Sequence, residues 1–175
     1  MGDTLITVVV IALVAVLMFV FPLMTMSDRT DDVSQLTVET ATTEFVDNAR
    51  TTGKLTMDNY GKYVENISST GNAYDVEMEV KVLDENPGKK TTQTQSKKIG
   101  ENVYYSMYTS QIMDQLETNG VLTLKEGDII SVSAKNKTST LSQQLKNFFY
   151  SVAGNDTYSI AAEHAGIVTA NGVGK

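Results

Sequence analysis

The chain has no cysteine, a single histidine and only two prolines in 175 residues. Without cysteine there is no disulfide, no thiolate nucleophile and no Cys-ligated metal. With His164 as the one imidazole, neither a zinc site nor a Ser-His-Asp relay has the residues it needs, and His164 reads as a solvated or partly packed side chain. Positive charge is also scarce. Fourteen Lys and Arg stand against 21 Asp and Glu, for a formal charge of −7. That balance argues against nucleic-acid binding, which depends on neutralising phosphates.

The glycines are scattered at helix ends and turns, and none forms a phosphate-cradling loop. The carboxylate pairs Asp84–Glu85 and Glu126–Asp128 fall in polar turns, whereas a glycosidase pair needs a cleft and one raised pKa. Glu126-Gly127-Asp128 supplies too few oxygens for a calcium loop. The triplets beginning at Asn66, Asn136 and Asn155 match the glycosylation pattern but occur readily by chance. The expectation is a protein with no catalytic residues, no cofactor, no metal and no evident small-molecule substrate.

One long run of the sequence is apolar. Thr4 to Met26 reads TLITVVVIALVAVLMFVFPLMTM and carries no charge. As a helix it spans about 35 Å, against a bilayer core of about 30 Å. A secretory signal is shorter, starts with a basic region and ends on an Ala-x-Ala-like site; Met24, Thr25, Met26 and Ser27 do not provide one. Residues 1–26 are therefore assigned as a transmembrane anchor with membrane lipid as its partner. Arg29 on one side and the α-amino group on the other leave the positive-inside rule evenly balanced, so charge does not orient the anchor.

Residues 27–52 follow as an amphipathic helix or stalk, with Val33, Leu36, Thr40, Phe45 and Ala49 on roughly one face. Two arrangements are open: one rod continuous with the anchor, with a possible kink at Pro22, or a separate helix packed on the following domain. Residues 53–175 form that domain. Gly53 is a stop, Thr56 an N-cap, and Tyr60, Tyr63, Val64 and Ile67 a helical face ending near Gly71. Tyr74 to Val82 alternates apolar and charged residues, the mark of a strand with one wet face.

Asp84 to Asn102 is either a solvated loop or a turn into a short edge strand near Thr91–Ser96, and Lys89, Lys90, Lys97 and Lys98 make it the basic patch of the chain. Tyr105, Tyr108, Ile112 and Leu116 suggest a second helix of the domain, ended by Asn119–Gly120. Val121 to Leu124 is extended, Glu126 to Asp128 turns, and Ile130, Val132 and Ala134 alternate in a strand. Thr140 and Gln143 have capping-box spacing before a helical face of Leu141, Leu145, Phe148 and Val152, closed by Gly154. A last strand runs from Tyr158 through Ile160 and Ala162, with a bulge or bend at Gly166 before Ile167 and Val168. The fold class is α+β: an N-terminal transmembrane helix, then a small, mainly antiparallel sheet with helices packed on one face.

This layout resembles the type IV pilin-like proteins, closest to the small pseudopilins of Tad-type pili in Gram-positive bacteria. Thr52-Gly53-Lys54-Leu55-Thr56 and Lys125-Glu126-Gly127-Asp128-Ile129-Ile130-Ser131-Val132 are the stretches most similar. The resemblance implies a structural subunit of a pilus or secretion assembly with its head outside the cell, and itself or other pilin-like subunits as partners. In that family a leader is cut after a glycine, and an acid near the new terminus pairs with a neighbour's amino group. Here Gly2 precedes Asp3, and the fifth residue after such a cut is Thr7. Asp3 is either that pairing acid or simply the N-cap of an apolar helix. Thr7, Ala12 and Ala15 are the small residues at which neighbouring helices would approach. The competing reading is a monomeric, membrane-anchored binding or sensor module that uses the Lys89–Lys98 stretch or the outer sheet face.

Overall fold

The computed structural model describes residues 2–84, 104–140, 143, 144, 147 and 159–172. Its elements in chain order are α1 (Gly2–Thr52), β1 (Lys54–Thr56), α2 (Met57–Ser68), β2 (Tyr74–Leu83), β3 (Tyr104–Tyr108), α3 (Thr109–Asn119), β4 (Val121–Thr123), β5 (Ile129–Asn136) and β6 (Ala161–Ile167). The class is α+β. β3, β2, β5 and β6 form one antiparallel sheet in that order, and β1 pairs with β4 in a second, two-stranded sheet.

Anchor and stalk are one helix. α1 runs unbroken through Pro22 and past the boundary at residue 26, which settles the open alternative in favour of the rod. Its length is about 76 Å at 1.5 Å per residue. The face it gives to the domain differs from the one expected. Val38, Ala41, Thr42, Phe45, Val46 and Ala49 are buried, as are Asp31 and Ser34, whereas Val33 and Leu36 are 65% and 63% exposed. Thr40 is exposed too. Phe45 and Ala49 of the expected face are buried, and the stripe continues from them at three- and four-residue steps through Thr42, Ala41 and Val38 instead of Thr40, Leu36 and Val33.

The core face of the sheet comes from alternation. Met78 and Val80 of β2 and Ile130, Val132 and Ala134 of β5 are all buried. β2 pairs with β5 from Tyr74↔Asn136 to Lys81↔Ile129, so these apolar residues share one side. α1 and α2 pack against each other, with the Phe45 and Tyr63 rings stacked at 4.7 Å. Thr42 Oγ1 donates to the Val38 carbonyl at 2.7 Å and shares a 3.1 Å hydrogen bond with the Tyr63 hydroxyl. Burial raises the pKa of Tyr63, opposed by that hydrogen bond and aided by nearby Tyr60; Tyr60 is itself raised by burial.

α1 runs parallel to β6 and takes the place of a next strand. The Gln35 amide donates to the Ala161 carbonyl at 2.7 Å and accepts from the Ala161 N–H at 3.1 Å. At the other end Arg50 Nε donates to the Ile167 carbonyl at 2.9 Å, and the Arg50 carbonyl accepts from the Thr169 N–H at 3.0 Å. Gly166 is not a bulge. It pairs in register with Ile130, and a Cβ there would sit 2.5 Å from Arg50 Nε. The glycine therefore leaves room for the arginine to cross the strand.

Tyr105 and Tyr108 also differ from expectation. They lie in strand β3, where five residues alternate along β2 from Glu79↔Tyr108 to Leu83↔Tyr104. The helix begins one residue later. Gln111 Oε1 accepts the Tyr108 N–H, Ile112 and Leu116 are buried, and Gly120 ends the helix with φ 72°. Thr56 caps α2 as expected, its hydroxyl accepting from the Asn59 N–H. Thr140 and Gln143 form the capping box, but Leu141, Leu145, Phe148, Val152, Gly154 and Tyr158 lie outside the described residues, as does 85–103, which holds most of the Asp84–Asn102 stretch.

Gly53 closes α1. Its φ of 66° belongs to the left-handed region, its N–H bonds Ala49 O, and its carbonyl accepts from Leu124 N–H at 2.8 Å. Asp128 is 2% exposed and holds the neighbouring corner: one carboxylate oxygen accepts Leu83 N–H at 2.9 Å and the other Lys125 N–H at 2.8 Å.

Two outcomes test this packing. Asp128→Asn replaces an acceptor with an NH₂ facing a buried N–H, and should lower stability by about 1–3 kcal/mol, read as the denaturation midpoint of the full chain in detergent. Raised tyrosine pKa values make their contribution fully present below pH 10 and lost as pH rises through the higher folded values. The midpoint should thus fall above about pH 10, less steeply in Tyr63→Phe.

Candidate membrane and assembly helix

The first half of α1 touches nothing else in the chain that would bury it. From Leu5 to Phe21 its large side chains are 45% or more exposed, apart from Val20, which is of intermediate exposure. It is one helix long and apolar enough to cross a membrane, which is consistent with single-pass anchoring. Water is a poor solvent for such a surface, whereas an α-helix satisfies its backbone groups internally and is stable in hydrocarbon. The hydroxyls along it are also satisfied internally. Thr7 Oγ1 donates to the Asp3 carbonyl at 2.7 Å and Thr25 Oγ1 to the Phe21 carbonyl at 3.0 Å.

The four candidate assembly residues are spread around the helix. Asp3 lies in the first turn, where the helix dipole favours an acid, and Thr7 is one turn above it. Ala12 and Ala15 follow further along. At about 100° per residue, Thr7 and Ala12 stand about 140° apart around the axis. All four are exposed, and with Ala15 about 80° from Thr7 and about 60° from Ala12 they are spread over about half of the helix circumference.

Other residues singled out in the sequence have structural roles. Asp128, half of the possible calcium turn, has both oxygens committed to backbone N–H groups, and among the described residues no group of carboxylates and His is placed to hold a metal. His164 is in the middle of β6 facing α1, its Nε2 3.7 Å from an Asp47 oxygen that Arg50 holds at 2.7 Å. Lys89, Lys90, Lys97 and Lys98 lie outside the described residues. Sequence reasoning missed Asp31. It is 3% exposed, directly past the anchor, and accepts the Thr140 hydroxyl at 2.7 Å. An acid following a membrane run reads as a solvated flank, and its partner is 109 residues away in sequence.

The apolar half predicts a clear response to charge. Ala15→Lys places an ammonium mid-helix, where insertion costs roughly 2.5–3.5 kcal/mol more. The variant should be depleted from the carbonate-resistant membrane pellet that holds the unaltered chain. Compared with protein-family models, with curated proteins and with solved structures, the chain matches none.

Proposed function

We propose that the chain is a pilin-like or pseudopilin subunit of a pilus or secretion assembly, held in the membrane by the first half of α1 with its head outside the cell. The observation that carries this reading is the division of one continuous helix: the run from Thr4 to Met26 is apolar and almost wholly exposed, whereas one face from Asp31 to Ala49 is built into the head. A helix shared in this way suits a subunit that waits in the bilayer and later packs against other helices. Cohesion then comes from helix-to-helix contact at small residues, and the head sets the surface. Asp3, at the helix start, is the residue proposed to meet a neighbour's amino terminus.

A second reading, a monomeric anchored binding module, is favoured by one feature. The wet side of the sheet carries a groove lined by Glu77, Glu79, Tyr108, Ser131, Ser133 and Glu163.

Crosslinking separates the two. The chain has no native cysteine, so single cysteines at Thr7 or Ala12 report only on those positions. Under the assembly reading they form intermolecular disulfides in cells, and Asp3→Ala reduces them without changing the thermal stability of the head. Background crosslinking along the whole helix, with particles that run as monomers, selects the binding module. Protease added to intact cells should remove the head; full protection would place it inside.

A further inference from the structure

The seam between α1 and β6 joins its two elements in one sense. Both lead away from the apolar run. Gln35 stands beside Ala161 at the near end, and Arg50 beside Ile167 and Thr169 at the far end. The bonded ends are fifteen helical steps apart, about 22 Å. A pull on α1 toward Met26, resisted by the sheet, therefore acts along the seam and not across it. Under such a pull the bonds at both ends are strained together, because neither end can slide without the other. A pull that parts the two elements from one end breaks the same bonds one after another.

The far end is shaped against a slide. The Arg50 side chain lies over Gly166, where a Cβ would be 2.5 Å from Nε, 2.6 Å from Cδ and 2.8 Å from Cζ. It thus occupies a notch in the strand. Arg50 is fixed there by its bonds to the Ile167 carbonyl at 2.9 Å and, one turn back along α1, to Asp47 at 2.7 Å. Side chains on one face of a strand recur every second residue, so the next one on this face, toward the apolar run, is His164. Its Nε2 is buried without a hydrogen-bond partner and is 3.7 Å from the Asp47 carboxylate. Hydrogen bonding does not account for the imidazole, but its position does. Drawing α1 toward Met26 carries Arg50 out of its notch and toward the ring, and a close-packed interior has no room for it.

Beyond the notch the Arg50 carbonyl accepts the Thr169 N–H at 3.0 Å and its hydroxyl at 3.4 Å, and the Gly53 carbonyl accepts the Leu124 N–H at 2.8 Å. The end of α1 is therefore held from the far side as well. β6 passes strain on to β5 along a register from Ile129↔Ile167 to Lys135↔Ala161. We propose that this seam is a force-transmitting clamp. Tension that draws the apolar half of α1 away from the head is resisted in shear by Gln35, by Arg50 in its notch and by His164 as the stop. The proposal takes from the membrane-anchored reading only the end at which tension enters. It applies equally to an assembled subunit and to a single anchored module.

The test stretches the full chain in detergent at constant force between two introduced cysteines, which a sequence without native cysteine allows. Arg29 and Asn171 are exposed and lie at opposite ends of the seam, so Arg29→Cys with Asn171→Cys loads it in shear. Ser159 is exposed and lies at the same end as Arg29, so Arg29→Cys with Ser159→Cys peels it. Forced unfolding follows the unfolding rate, and the readout is the lifetime of the head at one fixed force. The lifetime in shear should exceed that in peeling by at least about tenfold. Gln35→Leu removes both bonds to Ala161 and should shorten the shear lifetime about tenfold, the rate factor of roughly one net hydrogen bond. His164→Ala should shorten it several-fold, and both variants should change the peeling lifetime less. Equal lifetimes in the two geometries overturn the clamp. A variant that shortens both lifetimes by the same factor acts through general stability, which overturns the role given to that residue. Carbonate extraction of the unaltered chain tests the anchor separately: a chain that washes off the membrane defeats the anchored reading and leaves the shear result standing.

Discussion

The structure depends on the seam between α1 and β6. A sheet edge presents unpaired N–H and C=O groups, and here α1 supplies the partners at both ends: the Gln35 amide at Ala161, and the Arg50 side chain and carbonyl at Ile167 and Thr169. The fifteen steps from Gln35 to Arg50 rise about 22 Å, and the eight steps from Ala161 to Thr169 cover about 26 Å at strand spacing. The two elements therefore match in length, and a helix can stand in for a strand. Gly166 leaves room for the Arg50 side chain in its present course, where a Cβ would sit 2.5 Å from Nε.

The remaining head is arranged around that seam. Once α1 is fixed over β6, its Val38–Ala49 face meets β5 and α2, and the Phe45–Tyr63 stack fills the angle between the helices. Gly53 then turns the chain so tightly that its carbonyl reaches Leu124, and the segment after β6 returns to the same place, with Gly172 N–H bonded to Leu124 O. Asp128 fastens this corner to the end of β2. The helix that carries the apolar run is thus bound to β6 and to the segment that follows it.

Strong local patterns made much of this legible in the sequence. The alternation of Tyr74–Val82 and of Ile130–Ala134 reports directly on a half-buried sheet, and Thr56, Gly120 and the Thr140–Gln143 pair act as caps through their own chemistry. Reading failed where two periodicities meet or where the partner is remote. Tyr105 and Tyr108 can be taken at three-residue spacing with Ile112, which hides the five-residue strand that ends at Tyr108. Val33 and Leu36 look like core because they are aliphatic, but the domain packs on the neighbouring stripe from Val38 to Ala49. The buried Asp31 and the bare backbone of Gly166 owe their roles to Thr140 and Arg50, far off in the sequence. The long apolar run was visible from composition alone; the spread of Asp3, Thr7, Ala12 and Ala15 over about half of the helix circumference emerges only from helical geometry.

The unbroken course of α1 has a further consequence, which is one of gearing. No linker separates the apolar run from the head, so the azimuth of the head about the axis of α1 is set by the helical phase of that run. Adding a single residue between Met26 and Asp31 would turn the head by about 100° and lift it by about 1.5 Å, without altering one contact inside it. Four added residues would restore the heading to within about 40°, with the head raised by one turn. In this chain the direction in which the sheet faces is a property of residue count, and the stretch from Ser27 to Thr30 is where that count is kept.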